Sequence, residues 1–325
     1  MELPNMAEII TADEIDFALY EKETDHKQKI KPAALWVEEL IARIKSPVVL
    51  PRAVMPWRKT HGQFQMRPGE VTIWGGANGQ GKSLVTGQIA LSLCSQGEKV
   101  CIASFEMKPM KTLERMGRQW SGENPDHPAF RGHDEAQARM IDVYEQFRDW
   151  TTGKLWLYDQ QGTVSAAQVC AVVRYCAKEK GITHFFVDSL MKCVADEDDY
   201  NGQKRMVDEM TAIARDHGIH IHLVHHIKKP ANEDHKPTKY DYKGSGAITD
   251  QVDNVISVWR NKVKEKARED GKQVSDGEPD ALLICDKQRH GEWEGKIGLW
   301  FHKDSMQYLG VSGEDPLSLY LHPEH

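Results

Sequence analysis

Apolar positions in this chain follow two rhythms. From Met66 onward, short runs rich in β-branched and aromatic residues recur: Val71–Trp74, Val100–Ser104, Leu155–Tyr158, His184–Val187, Ile219–Val224, Val255–Trp259 and Ala281–Cys285. Stretches of helical character separate most of them. Strand runs alternating with helices predict a mostly parallel sheet with crossover helices on its faces. Ile297–Leu309 reads as a hairpin, and residues 261–280, charged and containing Gly and Pro, read as a solvated loop. Ahead of this region the period is helical. Pro32 opens a short amphipathic helix in which Trp36, Val37, Leu40, Ile41 and Ile44 form one stripe, with Glu38, Glu39, Arg43 and Lys45 off it. Ser46-Pro47 ends it. One helix cannot enclose a core, so the stripe is expected to dock on its own domain or on a neighbouring subunit. Residues 1–32 are polar and weakly patterned and read as an arm. The expected division is therefore an arm (1–32), a linker helix and connection (33–56), an α/β domain (57–310) and a C-terminal tail (311–325). No internal repeat or low-complexity tract is visible.

Composition narrows the partners. A chain of 325 residues with ordinary apolar content can bury a sizeable core. A net charge of −7 argues against coating nucleic acid with the whole surface, although a local basic channel stays possible. No apolar signal run, arginine-rich leader or membrane-length stretch is seen, so a cytoplasmic protein without membrane contact is expected. The six cysteines show no zinc spacing and sit mostly in apolar runs, as buried reduced thiols do.

The chemistry begins after the first strand run. Gly76, Ala77, Asn78, Gly79, Gln80, Gly81, Lys82 and Ser83 spell G-x-x-x-x-G-K-S, and Leu84 leads into a helical run ending near Leu93. Strand before and helix after is the context a phosphate loop requires. Its glycines let backbone N–H groups curl around phosphate oxygens, and the helix N-terminus adds partial positive charge. Lys82 would reach the β- and γ-phosphates, and Ser83 would ligate Mg²⁺. The run His184–Val187 ends in Asp188, which places a carboxylate at the carboxyl edge of the sheet beside that loop. There it can hold a metal-bound water, or alternatively cap the following turn.

Five more segments occur in a recognisable order. They are Ala103-Ser104-Phe105-Glu106-Met107; Leu223 through His225, His226, Lys228, Lys229 and Pro230; Lys243-Gly244-Ser245-Gly246-Ala247-Ile248; Asp253 through Trp259 and Arg260; and Lys287-Gln288-Arg289-His290-Gly291. Together, from about Trp57 to Gly310, they resemble the helicase domain of the DnaB superfamily. The branch with phage primase–helicases and mitochondrial Twinkle is the most similar, since it carries His where DnaB carries Gln. The resemblance implies a RecA-like α/β phosphate-loop NTPase using ATP, or another ribo- or deoxynucleoside triphosphate, with Mg²⁺. It implies that Glu106 activates the attacking water, that His226 senses the γ-phosphate, and that Lys287 and Arg289 reach a neighbouring subunit's nucleotide. Arg260, Phe301 and His302 fall where the family contacts the base. His220, His222 and His226 share one strand face by period two. A metal site is one reading of that face; packed, hydrogen-bonded histidines at 220 and 222 are the other and the preferred one.

The family grips single-stranded DNA with loops that line a ring's pore. Here the corresponding loops run from about Lys192 to Arg205 and from Lys228 to Ala247. Lys228, Lys229, Lys243, Gly244, Ser245 and Gly246 are the candidate contacts, since phosphate contacts give affinity without sequence choice. No aromatic interleaving suggests base stacking. The resemblance thus implies a subunit of a hexameric ring helicase, moving 5′ to 3′. Neither a fused primase nor DnaB's N-terminal domain is evident, so a separate primase or other replisome partner is expected. Two other readings stay open: a recombination ATPase of the RecA kind, and a regulatory ATPase of the KaiC kind that uses no DNA.

Overall fold

The apolar runs form the strands predicted for them. The computed structural model describes residues 9–10, 15–20, 32–45, 53–127, 134–194, 199–228, 232, 234–242 and 246–320. Its strands are β1 (Ile9–Ile10), β2 (Val71–Gly76), β3 (Val100–Ser104), β4 (Leu155–Tyr158), β5 (His184–Asp188), β6 (His220–His226), β7 (Asn254–Arg260), β8 (Ala281–Gln288), β9 (Gly295–His302) and β10 (Gln307–Leu309). They form one sheet in the order β1-β4-β3-β5-β6-β2-β7-β8-β9-β10. From β1 to β7 every pairing is parallel; β8, β9 and β10 continue antiparallel. Helices are α1 (Phe17–Tyr20), α2 (Ala33–Lys45), α3 (Lys82–Ser95), α4 (Pro109–Ser121), α5 (Asp134–Thr151), α6 (Ala166–Tyr175), α7 (Tyr200–His217), α8 (Gly246–Gln251) and α9 (Lys262–Glu269). None of the described helices is long and apolar enough to cross a membrane.

Strands covered on both faces read as continuous apolar runs, because successive side chains point to opposite cores. Val71, Ile73, Phe185, Val187 and Leu223 face the core shared with α6 and α7. Trp74, Ile102, Phe186, Val224 and Ile256 face the one shared with α3, α4 and α5. All six cysteines are buried and unpaired, as their apolar surroundings suggested.

The expectation of packed histidines on β6 holds, with a third partner. His184, His220 and His222 are buried together, their rings 4.6 to 5.5 Å apart, and His222 stacks on Phe186 at 3.9 Å. His184 Nδ1 and His222 Nε2 lie 3.1 Å apart, Trp74 Nε1 donates to His222 Nδ1, and His220 bridges Thr72 Oγ1 and the Arg67 carbonyl. Burial keeps all three neutral: His220 is pushed down to about 4, His184 is lowered by burial and then by His220, and His222 by burial and then by His220 and His184. Among the described residues no group of His, Cys, Asp or Glu is arranged to hold a metal ion.

Two expectations need correction. Residues 261–280 are not simply a loop, because Lys262–Glu269 is helical. Asn261 caps it by accepting from the Lys264 N–H at 2.9 Å, and the buried Lys264 ammonium pairs with Asp280 at 2.9 Å. A single buried lysine gives no periodic apolar signal, so the helix was hidden. Part of the polar arm also joins the sheet: Ile9–Ile10 extends β4, Ile15 is buried, and Arg174 on α6 donates to the Tyr20 carbonyl at 3.0 Å. Among the described residues the stripe of α2 stays exposed, at Trp36, Val37, Leu40, Ile41 and Ile44.

The segment leading into β2 is held at three points. Gln96 exchanges two hydrogen bonds with the Val54 backbone, at 3.0 and 2.9 Å. Trp57 Nε1 donates to the Tyr308 carbonyl at 2.7 Å, and the Lys59 ammonium reaches the Gly298 and Gly310 carbonyls. The second and third contacts grip the β9–β10 hairpin.

Candidate nucleotide-binding and hydrolysis site

The strand order brings the sequence candidates together. With β3 beside β5, β5 beside β6 and β6 beside β2, the carboxyl ends of four strands meet at one edge, and Glu106, Asp188, His226 and the loop 76–83 all issue from it. The loop's glycines are needed there. Gly79 and Gly81 adopt positive φ (75° and 85°), which side chains disfavour. A Cβ at Gly76 would strike the Val258 carbonyl and the Lys82 stem.

Lys82 is buried at the start of α3. Its ammonium lies 2.9 Å from the Gly76 carbonyl, 3.1 Å from that of Ala77 and 3.2 Å from His226 Nδ1. Burial lowers it to about 8, against the pull of Asp188 and Glu106. A buried, under-compensated cation inside a glycine cradle fits a polyphosphate. Ser83 Oγ donates to Asp188 Oδ2 at 2.7 Å. Burial raises Asp188, with the Ser83 hydroxyl opposing and Glu106 adding to the rise. A hydroxyl and a carboxylate side by side are hard oxygen donors of the kind Mg²⁺ takes.

Glu106 is half-exposed. It accepts from Ser189 Oγ at 3.0 Å, and its Oε1 lies 3.6 Å from His226 Nε2. Its acidity is strengthened to about 2, first by the His226 ring, then, against burial, by the Ser189 hydroxyl, with Lys192 contributing charge. His226 therefore stands between Lys82 and Glu106, one ring nitrogen toward each.

Around Arg260, expected from the resemblance to lie near the base, Gln80 accepts from the Arg260 N–H, and the Arg260 guanidinium pairs with Glu265 on α9. Leu84 is partly buried against the α3-side core, and Ala77, Asn78 and Gly79 form the accessible crest of the loop. The Phe301 ring lies 5.2 Å from that of Tyr308, while His302 Nδ1 turns to Ser305 Oγ at 2.8 Å. Tyr308 is the hairpin residue nearest the loop: a Cβ at Gly81 would meet its hydroxyl. Gln88 on α3 exchanges two hydrogen bonds with the Tyr308 backbone, at 2.8 and 3.0 Å.

Lys287 and Arg289 lie elsewhere. β8 runs antiparallel to β7, so Gln288 pairs with Asn254, which itself pairs with Thr72 at the beginning of β2. Both cations thus sit at the amino edge of the parallel strands. Lys287 Nζ donates to the carbonyls of Thr249, Asp250 and Val252, each at 2.8 Å. Its three N–H groups are thereby engaged in capping α8. Arg289 pairs with Asp253 at 3.3 Å and reaches the Asp250 and Gln251 carbonyls.

Of the DNA-loop candidates, Lys228 is exposed and its N–H donates to the Asp241 carbonyl at 2.7 Å, beside a bridge between Ile227 and Tyr242. Gly246 opens α8. Lys229, Lys243, Gly244 and Ser245 lie outside the described residues. Sequence reasoning overlooked Ser189, Lys192, Tyr308 and Lys262. Among the described residues Lys262 has no side-chain partner, and its ammonium lies 4.0 Å from where a Cβ of Gly79 would stand. Adjacency to Asp188 and to Arg260 was the one sequence signal for Ser189 and Lys262.

A phosphate loop leaving a central parallel strand, with acidic residues on neighbouring strand ends, defines a RecA-like nucleoside-triphosphatase fold. The family model described as the DnaB-like helicase C terminal domain matches residues 59–309. The chain belongs to that family, a class of helicase ATPases. Among solved structures it is similar to a DnaB-like replicative helicase that was described with its interactions with primase. The TM-score is 0.68 and the identity 16%, over 86% of this chain and 66% of the other. The chain thus spans just under two thirds of that helicase's length. It is also similar to a second solved structure, that of an ATPase domain, at TM-score 0.68 and 15% identity, over 89% of this chain and all of that domain.

Proposed function

We propose that this chain is one subunit of a ring-shaped motor. The motor hydrolyses ATP or another nucleoside triphosphate, moves along single-stranded DNA and parts the duplex ahead of it. The observation that carries this reading is the separation of the candidate catalytic residues between two edges of one sheet. Lys82, Ser83, Glu106, Asp188 and His226 converge at the carboxyl edge, whereas Arg289 sits at the amino edge. β2 alone has six residues, so roughly 15–20 Å of strand separates the edges. Arg289 cannot serve its own phosphate loop, and a second chain is required to complete the site. All three N–H groups of Lys287 are taken up by carbonyls of its own chain, whereas Arg289, although held by Asp253, keeps a partly exposed guanidinium, so the role of the charge supplied in trans falls to Arg289.

In this reading the loop amides and Lys82 hold the triphosphate, and Ser83 with Asp188 would hold Mg²⁺, which when bound neutralises phosphate charge. Glu106 orients water and takes its proton. His226 relates the state of the phosphates to the loop that follows β6. The loops after β5 and β6 leave the same edge and grip the DNA backbone, with Lys228, Lys229, Lys243 and the Gly244–Gly246 turn as contacts. The uncovered stripe of α2 docks on a neighbouring subunit. A separate primase is the expected replisome partner, as for the DnaB-like helicase whose structure was described with primase.

The test is strand displacement. The full chain, nucleotide and Mg²⁺ are mixed with a forked duplex bearing a 5′ single-stranded tail, and phosphate release is followed in parallel. Hydrolysis stimulated by DNA together with strand separation is expected. Stimulated hydrolysis with strand exchange and no displacement would make it a recombination ATPase. Hydrolysis indifferent to DNA would make it a regulatory one.

A further inference from the structure

We propose that Asp253 is a positioning residue for the charge supplied in trans: it fixes the Arg289 guanidinium in the orientation in which a neighbouring subunit's nucleotide meets it. The proposal rests on the reading of Arg289 as acting across a subunit interface. Asp253 holds Arg289 at both ends. The Arg289 N–H donates to the Asp253 carbonyl at 2.8 Å, and the guanidinium pairs with Asp253 Oδ1 at 3.3 Å. A second guanidinium nitrogen reaches the Asp250 and Gln251 carbonyls at 3.4 and 3.2 Å. The side chain is still 37% exposed, so part of its donor set remains open to a partner. An arginine on an unheld stem loses rotamer freedom when it engages a phosphate. One that is fixed beforehand delivers its charge without that loss, which is the condition for stabilising charge as it develops.

The placing of Asp253 suits it to this task. It is 2% exposed and immediately precedes β7. Its backbone and side chain both dock on Val71, the first residue of β2: the Asp253 N–H donates to the Val71 carbonyl at 3.0 Å, and the Val71 N–H donates to Asp253 Oδ2 at 2.9 Å. The two carboxylate oxygens therefore have separate duties. Oδ2 belongs to the sheet, and Oδ1 to the arginines. Arg215, in the last turn of α7, approaches the same Oδ1 at 3.8 Å. Two cations thus meet one buried carboxylate, and Arg289 is the nearer and the less exposed of them. A buried charge is screened little by salt, so it aims a guanidinium more firmly than a surface carboxylate does. Asparagine at this position would keep an oxygen for the Val71 N–H and withdraw the negative charge from Arg289. The sheet contact and the arginine contact can in this way be separated.

The experiment measures kcat and KM for ATP in the full chain with single-stranded DNA present. Asp253→Asn is expected to lower kcat about 10- to 100-fold with KM little changed, as misplacement of a catalytic group does. In an Arg289→Ala background the same substitution should add nothing, because Asp253 acts through that arginine. The decisive measurement mixes Asp253→Asn with Lys82→Ala. The first chain keeps a sound phosphate loop and the second a correctly held Arg289, so hydrolysis should partly return in mixed oligomers. A merely structural defect would damage the variant's own site and would not be rescued. Asp253→Ser, with a smaller acceptor for the Val71 N–H, serves if the asparagine variant does not fold. Unchanged kcat in Asp253→Asn overturns the proposal. So does a failure to regain hydrolysis where Arg289→Ala mixed with Lys82→Ala regains it, and so does a failure of both Asp253 variants to fold, which would make the residue part of the sheet alone. If Arg289→Ala with Lys82→Ala also regains nothing although mixed oligomers form, the reading of Arg289 in trans falls and the proposal falls with it.

Discussion

Both edges of the parallel sheet carry charged side chains, but they differ in how far those charges are compensated. At the carboxyl edge, burial drives Lys82 down to about 8 and Asp188 up, although the two carry opposite charge and stand in the same site. Their compensation inside the chain is incomplete, which is the signature of a place built for ligands. At the amino edge the cations are already hydrogen-bonded. Lys287 caps α8, while Arg289 and Arg215 flank Asp253, at 3.3 and 3.8 Å, and Asp253 also accepts from the Val71 N–H at 2.9 Å. One edge waits for a molecule; the other presents an anchored arginine to a surface outside the chain. Under the ring reading proposed above, the difference makes the catalytic unit the property of a pair of chains.

The sharpest way to break this contrast is Glu106→Gln. It keeps the shape of the carboxyl edge while removing the base. Nucleotide binding should survive, and turnover should fall by about 10²–10⁴-fold, measured as phosphate release against equilibrium binding. A variant that hydrolyses normally would make Glu106 structural.

Arg289→Ala probes the other edge. Alone it should lose most turnover, and Lys82→Ala should be inactive as well. Mixed together, some interfaces pair an intact phosphate loop with an intact arginine, so basal hydrolysis should partly return. Mixed oligomers that form without regaining hydrolysis would sink the assignment in trans.

The histidine stack gives an effect on stability. Its members are held neutral, so the unfolded chain takes up protons that the native one refuses once pH falls below about 6.5. The stabilisation present above that pH is lost progressively on acidification, until the folded value is passed near pH 4 for His220. From its shift, His220 alone accounts for about 3 kcal/mol. Denaturant melts at pH 7.5 and pH 5 should differ by a few kcal/mol, and a His220→Gln variant should show a smaller difference. Equal midpoints at the two pH values would mean that the stack is solvated.

The smallest effect is expected for Lys262→Met. Loss of one cation above the loop crest should raise KM for ATP about threefold with kcat unchanged, on the scale of a single exposed charge contact. An unchanged KM would place Lys262 outside the nucleotide's reach.

Much of this was legible in the sequence, for specific reasons. Runs such as Val71–Trp74 and His184–Val187 are apolar apart from Thr72 and His184 because they are covered on both faces, and glycine spacing marks a phosphate loop wherever it occurs. Glu106 and His226 were found through family order, which carries information that spacing lacks. What could not be read is the consequence of pairing. That β8 runs antiparallel to β7, and so carries Lys287 and Arg289 away from their own phosphate loop, is a matter of strand direction, which an apolar run does not encode. The helix Lys262–Glu269 stayed hidden because its anchor is one buried ion pair. Tyr308 escaped notice because its neighbour Gly81 lies more than two hundred positions away.

The grip of Trp57 and Lys59 on the β9–β10 hairpin has a mechanical meaning. The chain ahead of residue 53 leads to α2, whose apolar stripe is exposed among the described residues. Tension applied through that tether meets first the Gln96 side chain that holds the Val54 backbone, and then the carbonyls of Tyr308, Gly298 and Gly310, which the Trp57 and Lys59 side chains hold. The same tyrosine borders Gly81 and is clasped by Gln88 on the helix that begins with Lys82. In the proposed ring, a neighbour that displaced α2 would strain the nucleotide cradle from behind, and the cradle would report its own filling along the same line, as two ends of a taut cord.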